Sequence, residues 1–275
     1  PGAKPFNWSF LAPAEQADEI GRLGGYRVLK QLGQGGMGVV FLAEDPALSR
    51  NVALKVLPMD VVTQAEAVER FLREARTTAQ LNNDHIVRIH QVGQSPFIHP
   101  RTGQKLQMPF IAMELLKGIS LDDQLKKKPL SVTHILRVGR ELCRGLHAAH
   151  QVGLIHRDIK PANIWLEVPN GRVKILDFGL ARLVAGKEHL TQSGAILGTP
   201  AYMAPEQATS QAIDARCDLF SLGVTLYRMC ANELPFRGDG VMGTLAAMLM
   251  DTQPSANTIN ELIPESLSKL IDELL

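Results

Sequence analysis

Cysteine, net charge and long apolar runs are all scarce in this sequence, and each shortage removes a class of protein from consideration. Three cysteines in 275 residues are too few and too irregularly spaced for a disulfide framework or a zinc site. Because they lie in apolar helical contexts, we interpret Cys143, Cys217 and Cys230 as buried thiols in a reducing compartment. The 29 basic and 28 acidic residues give a formal net charge of +1, so no overall field favours nucleic acid or a membrane surface as a partner.

Targeting segments are also missing from the sequence. No uninterrupted apolar run approaches the roughly 20 residues that cross a bilayer, and no charged-then-apolar signal opens the chain. We therefore expect a cytoplasmic location. The start at Pro1, without methionine, indicates a piece of a longer protein, and a membrane-anchored protein with this chain as its cytosolic part stays open. A hydrophobic content of 45% suits one large core or two adjoining lobes.

One short stretch concentrates polar chemistry between apolar positions. Residues 155–164 read I-H-R-D-I-K-P-A-N-I. Asp158, Lys160 and Asn163 can bring a carboxylate, an ammonium and an amide into one small volume, and that set suits phosphoryl transfer. The carboxylate can accept the proton of an attacking hydroxyl, the amide oxygen can hold a magnesium ion without adding charge, and the lysine can steady phosphate oxygens.

This stretch resembles the catalytic loop of eukaryotic-like (Hanks-type) protein kinases, and most of all that of bacterial serine/threonine kinases. Lys160 is typical of the serine/threonine branch, because tyrosine-specific relatives usually carry Ala or Arg near that place. The resemblance implies that Asp158 orients and deprotonates the substrate hydroxyl, and that Asn163 and Asp177 hold magnesium beside ATP. A solvated charged turn would explain H-R-D alone, but further motifs follow in the order that the family shows.

A glycine-rich turn lies between two strand patterns near the N-terminus. Residues 26–32 alternate in polarity, and residues 39–43 continue as a strand after the turn. Glycine lets backbone amides approach phosphate oxygens closely, so the turn is typical of a nucleotide loop. A dinucleotide-binding loop would enter a helix instead, which argues against that alternative. The resemblance assigns nucleotide binding to Leu32, Gly33, Gly35, Gly36, Gly38, Val40 and Ala53.

A lysine in the middle of an apolar strand predicts a buried ion pair. Lys55 lies within the apolar run 52–57, where an unpaired ammonium would be costly. In the next segment apolar residues fall at helical spacing, and Glu74 lies closer to their stripe than Glu66 or Glu69. We expect Glu74 to be the counter-ion, as in the lysine–glutamate pair of the family. An edge strand with a lysine that extends to solvent is the alternative.

Two further strands are predicted at 86–92 and 110–116. The connection 93–109 is rich in Pro, Gly and basic residues and is longer than a hairpin needs, so we interpret it as an insertion. After it, M-E-L-L-K-G resembles the kinase hinge. By that resemblance Met113 limits the depth of the pocket, and backbone groups around Glu114 and Leu116 bond adenine.

Two helices and a hairpin are expected around the catalytic stretch. Ser131 is a predicted N-cap for a helix that ends near His150, and a later apolar helix contains Asp218, which in the family anchors the catalytic loop from below. A hairpin that reverses at Asn170-Gly171 delivers D-F-G, whose aspartate, Asp177, is the second magnesium ligand by resemblance. In the family a smaller aliphatic side chain lies under the adenine where this chain has Trp165, whose indole could stack on a purine.

The residues from Leu180 to Met203 are polar and rich in hydroxyls, and G-T-P-A-Y-M-A-P-E closes them. They resemble a kinase activation segment. By that resemblance Thr191 and Ser193 are phosphate acceptors, Arg157 is their partner and Thr199 braces the catalytic loop. An ordinary hydroxyl-rich loop is the alternative.

The resemblance implies an α+β, two-lobed protein-kinase-like fold with MgATP held between the lobes. We expect a lead-in segment at 1–25 that docks partly on the domain, and a small nucleotide-binding lobe of antiparallel sheet plus one helix at 26–116. A large, mainly helical catalytic lobe takes 117–275. In the family Glu206 pairs with an arginine that would lie beyond the end of this sequence, so we expect the final helices to be cut off.

The expected activity is transfer of the γ-phosphoryl group of MgATP to serine or threonine hydroxyls of proteins. A second copy of the chain is an expected substrate through its activation segment, and no nucleic-acid partner is expected. An ATP-binding pseudokinase scaffold is the main alternative. Such proteins usually lose the nucleotide lysine, the catalytic aspartate or the magnesium aspartate, whereas Lys55, Asp158 and Asp177 are all present. A kinase for small metabolites would not need the long hydroxyl-rich segment.

Overall fold

The computed structural model describes residues 8–36, 38–178, 200–208, 213–250 and 252–275. It divides the chain into two compact units. The first contains the described residues up to 80 and those from 88 to 116, and the second contains residues 81–87 and the described residues from 117 onward. None of the helices in these ranges is long and apolar enough to cross a membrane.

The first unit is built on an antiparallel sheet with the strand order β1-β2-β3-β4-β6-β5. Its strands are β1 (Gly21–Leu23), β2 (Tyr26–Gly35), β3 (Gly38–Asp45), β4 (Arg50–Val56), β5 (Ile89–Ile98) and β6 (Lys105–Glu114). The helices α1 (Met59–Val62) and α2 (Ala65–Ala79) connect β4 to β5. Because β4 lies between β3 and β6, Lys55 is on an interior strand, and the alternative of an edge-strand lysine is wrong.

The segment 93–109, interpreted from the sequence as an insertion, is mostly paired strand, and its status as an insertion stays a prediction. Strands β5 and β6 extend through most of this segment. Gly93 pairs with Phe110 at one end and Ile98 pairs with Lys105 at the other, so the turn takes only residues 99–104. Pro96 is tolerated because β5 is the outermost strand of the sheet, where a missing N–H removes no ladder bond. Gly93 has a packing reason, since a β-carbon there would lie 2.5 Å from the ring of Phe110.

The lead-in segment docks on this sheet, as expected, over its described part. Trp8 and Phe10 make edge-to-face contacts with Phe41, at centroid separations of 4.8 Å and 6.3 Å, and Phe10 is 2% exposed. Such aromatic pairs contribute stability beyond the area that they bury. Strand β1 then pairs with β2, so the segment becomes the outer strand of the sheet.

Charged side chains fasten the same segment to β2. The carboxylate of Glu19 is buried and receives hydrogen bonds from Arg22 at 3.1 Å and Arg27 at 2.9 Å. The backbone N–H of Glu15 donates to it as well. That N–H and the two guanidinium groups outweigh the opposing effect of burial and lower the pKa of Glu19 to about 2.

The second unit is mainly helical and carries a small sheet in the order β7-β8-β9. Its elements are β7 (Gly118–Ser120), α3 (Leu121–Lys127), α4 (Val132–Gln151), β8 (Ile164–Glu167), β9 (Arg172–Ile175), α5 (Pro205–Ala208), α6 (Arg216–Ala231), α7 (Gly240–Met250), α8 (Ala256–Ile259) and α9 (Glu265–Leu274). Ser131 caps α4 as predicted, accepting a hydrogen bond from the N–H of His134.

The core of this unit forms where α4, α6 and α9 pack together. Leu142, Leu226 and Ile271 are among its buried members, with exposures of 5% or less. Cys217 and Cys230 are buried on α6, as expected. Cys143 is exposed, so the expectation is wrong for this residue. It follows the buried Leu142 on α4 and therefore points away from the buried stripe.

Candidate active site

The backbone of the catalytic stretch is held by a buried carboxylate on α6. Oδ2 of Asp218 accepts the N–H of His156 at 2.8 Å, and Oδ1 accepts the N–H of Arg157 at 2.7 Å. His150, on α4, places Nε2 2.8 Å from Oδ2. Burial by itself would raise the pKa of Asp218, but the hydrogen bond to His150 and those from the loop outweigh it, so the pKa lies below its usual value. The anchoring role predicted for Asp218 is confirmed.

Arg157 adopts a left-handed backbone conformation, with φ of 65°. This conformation is strained for a residue with a β-carbon and persists where the surroundings hold it in place. Two neighbours do so. Asp218 binds the Arg157 N–H, and Gln207 on α5 donates its side-chain N–H to the Arg157 carbonyl at 2.9 Å. The strained residue lies directly before Asp158, so these contacts help to determine the position of the Asp158 backbone.

His156 connects the loop to the strand that leads to D-F-G. Its ring is fully buried, Nδ1 accepts the N–H of Asp158 at 3.2 Å, and Nε2 lies 2.7 Å from the carbonyl oxygen of Leu176. Because Nδ1 acts as an acceptor, the proton must be on Nε2, which donates to Leu176. The ring also packs edge-on against Phe178 at 4.7 Å. His156 thereby positions Asp158 and the residues around Asp177 relative to each other.

The three polar residues predicted to converge in the catalytic stretch do so. Lys160 Nζ lies 2.9 Å from Oδ1 and 2.8 Å from Oδ2 of Asp158. The amide nitrogen of Asn163 donates to Oδ2 of Asp158 at 2.8 Å and to the Asp158 backbone carbonyl, also at 2.8 Å. The carboxylate is therefore oriented by a cation and by a neutral amide. Since the amide nitrogen of Asn163 faces Asp158, its oxygen is the atom suited to a metal ion.

The two expected magnesium ligands arise from adjacent backbone positions. The N–H of Leu176 donates to the backbone carbonyl of Asn163 at 2.9 Å, and Ile164 pairs with Ile175 where β8 meets β9. This brings Asn163 next to Asp177, whose φ of 59° also lies in the left-handed region. An amide oxygen and a carboxylate are the hard oxygen donors that Mg²⁺ prefers, so the residues present fit the metal.

Residues assigned to the nucleotide share one face of the first unit's sheet. Val40 pairs with Lys55 across β3 and β4, Gly33 pairs with Val40, and Ala53 pairs with Met113. Directly opposed residues of antiparallel strands point to the same side, and Ala53 and Lys55 are two apart on one strand. All five therefore lie on that face. The opposite face carries the fully buried residues Val39, Phe41, Val52, Leu54 and Ala112.

The glycine turn has the open backbone that phosphate binding requires. A β-carbon at Gly33 or Gly35 would meet no atom within 4 Å, and the backbone there is exposed. Gly38 has a different role, because its φ is 119° and a β-carbon would lie 1.9 Å from the carbonyl oxygen of Val56. Gly36, within the turn, and Leu32, just before it, are exposed as well. Gly33 and Gly35 pair with Val40 and Gly38 in the ladder between β2 and β3, and the space on the outside of this turn is open to a ligand.

Lys55 and Glu74 are both buried within the first unit, at 3% and 9% exposure. Glu66 and Glu69 are exposed on the same helix. Of these three carboxylates only Glu74 lies on the inner side of α2, which supports its choice as the counter-ion. Direct pairing of Lys55 with Glu74 stays a prediction.

The hinge-like residues end β6. The N–H of Glu114 donates to the carbonyl of Arg88 at 2.9 Å, and its carboxylate accepts the Arg88 N–H at 2.8 Å. Of the backbone groups of Glu114, the carbonyl is therefore the one suited to adenine. Leu116 is two residues further on, where the first unit ends.

Trp165 lies on β8 between Ser120 and Lys174. Its indole N–H is buried, and no hydrogen-bond acceptor for it occurs among the described residues. A β-carbon at Gly118 would come within 3.0 Å of this nitrogen, so the glycine leaves room for the large ring. An indole in this place presents an aromatic plane and an unused donor.

The regulatory residues are only partly visible. Thr191, Ser193 and Thr199 lie outside the described residues, as does Gly179 of D-F-G. Arg157 is described, and its Nε is buried with no hydrogen-bond partner in the described ranges. The contacts of His150, His156 and Gln207 with this loop and its anchor were not predicted from the sequence. The H-R-D motif could have indicated His156, but nothing near Gln207 in the sequence points to the loop.

This geometry defines a protein kinase domain, and comparison with known proteins agrees. The family model for the protein kinase domain matches residues 26–275, so the chain belongs to that family. It is 36% identical over 266 residues to the serine/threonine-protein kinase Pkn1 of Myxococcus xanthus, an alignment that covers 94% of this chain and 37% of that protein. It is 39% identical over 232 residues to the serine/threonine-protein kinase PknA of Mycobacterium tuberculosis, covering 84% of this chain and 52% of PknA.

A solved structure gives the same result. The crystal structure of a Mycobacterium tuberculosis PknI kinase domain mutant superimposes with a TM-score of 0.67 at 26% identity, and the match covers 94% of this chain and 91% of that one. The predicted two-lobed kinase fold and the similarity to bacterial serine/threonine kinases are confirmed. The chain spans about 37% of the length of Pkn1.

Proposed function

We propose that this domain transfers the γ-phosphoryl group of MgATP to serine or threonine hydroxyls of proteins. The observation that carries the proposal is the Asp158 carboxylate, which Lys160 and Asn163 hold at 2.8–2.9 Å in a loop anchored by Asp218. A carboxylate oriented in this way can accept the hydroxyl proton as the phosphoryl group leaves the nucleotide. Lys160, beside it, can neutralise charge that develops on the transferred group.

Nucleotide binding would be shared by several groups of the chain. In the first unit, the turn glycines Gly33, Gly35, Gly36 and Gly38 would donate backbone N–H groups to phosphates, and Lys55, oriented by Glu74, would bind phosphate oxygens. Leu32, Val40, Ala53, Met113 and Leu116 would line the adenine site together with the carbonyl of Glu114. In the second unit Trp165 would stack on the purine. Open space at Gly33 and Gly35 and the shared sheet face support these assignments.

Asn163 and Asp177 would hold magnesium. When bound, the metal supplies positive charge that screens the phosphates and fixes their orientation. The contributions of the chain are the amide oxygen of Asn163, left available by the hydrogen bonds of its nitrogen to Asp158, and the carboxylate of Asp177.

Regulation would act through the segment after D-F-G. Thr191 and Ser193 would accept phosphate from a second copy of the chain, Arg157 would pair with that phosphate, and Thr199 would brace the loop. The buried Nε of Arg157, which lacks a partner in the described ranges, supports this role. We propose a cytoplasmic site of action, with proteins as substrates.

The proposal is tested by incubating the purified chain with magnesium, γ-labelled ATP and a serine- and threonine-containing test protein. Asp158→Asn is run in parallel, and phosphate is located by mass spectrometry. Transfer by the parent and not by the variant is the expected result, and phosphate on Thr191 or Ser193 in the parent alone would support self-phosphorylation. A parent that binds MgATP and melts cooperatively, yet transfers nothing, would overturn the proposal in favour of a scaffold.

A further inference from the structure

A cavity of about 420 Å³ opens in the second unit directly beside the catalytic residues. Lys160, Pro161 and Ala162 of the catalytic stretch form one side of it, and Tyr202 and Arg228 lie on another. Because Lys160 Nζ is within 2.9 Å of Asp158, a hydroxyl at Asp158 would place neighbouring side chains of its peptide at this cavity. The volume suits one or two side chains.

The carboxylates that line the cavity already have cationic partners. Asp122 pairs with Lys126 at 2.6 Å, and that contact raises the pKa of the lysine. Glu233 pairs with Arg237, also at 2.6 Å. Although these ion pairs are partly exposed and weak, they offset the negative charge that would otherwise attract a basic substrate residue.

Arg228 differs from these groups. Within the described part of the chain no carboxylate lies within 4 Å of its guanidinium, which is held by neutral acceptors, the Asn232 carbonyl and the Tyr202 phenol. Burial raises the pKa of Tyr202 to about 12, so the phenol carries no charge at neutral pH. Neutral acceptors orient the guanidinium and leave its charge intact. A guanidinium group has five N–H donors, and these two acceptors do not use all of them. Donors of Arg228 therefore remain available to bind an anion.

We propose that Arg228 makes this kinase prefer substrates with an anionic side chain close to the acceptor serine or threonine. This inference rests on the proposed function and deepens it by naming a substrate class. The anion would be a carboxylate of Asp or Glu or the phosphate of a residue modified beforehand, since both match the planar fork of arginine. Pro161, Ala162 and Leu234 would contact the apolar part of the same side chain.

The test compares peptides with one threonine acceptor in an alanine–glycine frame. The residues on both sides of the acceptor are Glu, Gln, Lys or phosphoserine, and kcat/KM is measured for each. For the parent we expect the Glu peptide to exceed the Gln and Lys peptides about tenfold, the effect of one charge-assisted hydrogen bond. Arg228→Gln should reduce the Glu/Gln ratio to about one, Arg228→Lys should keep part of it, and Arg228→Glu should favour the Lys peptide.

Arg216→Gln is the matched control, because Arg216 is an exposed arginine at the start of the same helix and pairs with Asp214. It should leave every ratio unchanged, and cooperative melting checks that each variant folds. A phosphoserine peptide well above the Glu peptide would support the proposal with phosphate as the anion. Transfer without preference, or a parent that prefers Lys, would overturn the inference and leave the kinase activity standing. Transfer to no peptide by a parent that binds MgATP would overturn both.

Discussion

The Asp218 carboxylate and the Arg157 backbone N–H lie 2.7 Å apart, although 61 positions separate the two residues in the sequence. This contact joins the core helix α6 to the residue before Asp158. The backbone of Arg157 is strained where it makes this contact. The fully buried Asp218 carboxylate compensates for the strain, because it accepts two consecutive N–H groups. A buried side chain of the core helix therefore positions the backbone of the loop that carries Asp158.

Replacing Asp218 by asparagine should lower both stability and activity. An amide can accept one of the two loop N–H groups but turns a donor towards the other, so a buried hydrogen bond is lost. We expect the free energy of unfolding to fall by about 2–4 kcal/mol in urea denaturation. We also expect kcat to fall by about 100-fold through misplacement of Asp158.

The control is Asp214→Asn, which removes an exposed carboxylate whose pKa is lowered mainly by its hydrogen bond from Arg216. Its unfolding curve and its activity should match those of the parent. Equal effects of the two substitutions would contradict an anchoring role for Asp218.

Replacing Asp158 by asparagine should remove phosphoryl transfer without unfolding the chain. The amide is isosteric and can keep a hydrogen bond with Asn163, but it cannot accept the hydroxyl proton. We expect kcat to fall by about 10²–10⁴-fold, with unchanged MgATP affinity in equilibrium dialysis. A variant that keeps more than about a tenth of the parent kcat would exclude Asp158 as the base.

The site could be predicted from sequence where its contacts are local. Asp158, Lys160 and Asn163 lie within six positions, so their spacing alone brings them together. The reversal at Asn170-Gly171 likewise delivers Asp177 beside Asn163. Such contacts depend on loop and hairpin geometry that short sequence patterns determine.

Contacts across long separations could not be predicted in this way. Gln207 reaches Arg157 over 50 positions, and His150 reaches Asp218 over 68. Each depends on how α4, α5 and α6 pack, which no local pattern specifies. Strand ends were equally hard to predict, because Pro96 discourages a strand except at a sheet edge, and the edge position of β5 follows from the whole sheet.

Acid should weaken the attachment of the lead-in segment. The pKa of Glu19 is lowered from 4.5 to about 2, chiefly by the Glu15 N–H and then by Arg27 and Arg22. A carboxyl whose pKa is lower in the folded state stabilises that state above its unfolded pKa, and the contribution disappears as pH falls through its folded pKa. The stability difference between the parent and Glu19→Gln should therefore be constant above about pH 5.5 and shrink between pH 4.5 and 2.

Urea denaturation at several pH values measures this difference. Glu265→Gln is a suitable control, because Glu265 and Lys269 form an exposed ion pair, at about 70% exposure each, that contributes little. A Glu19→Gln difference that grows as the pH falls would contradict the sign of the pKa shift.

Trp165 should report nucleotide binding. The chain has two tryptophans, Trp8 against Phe41 in the first unit and Trp165 on β8 of the second. If a purine stacks on Trp165, MgATP should quench fluorescence in the parent and in Trp8→Phe but not in Trp165→Leu. Loss of the aromatic plane should raise the Kd for MgATP about two- to tenfold, the range expected for one aromatic contact. If quenching instead survives in Trp165→Leu and disappears in Trp8→Phe, the nucleotide signal comes from the lead-in segment. Trp165 would then be a packing residue whose size Gly118 accommodates.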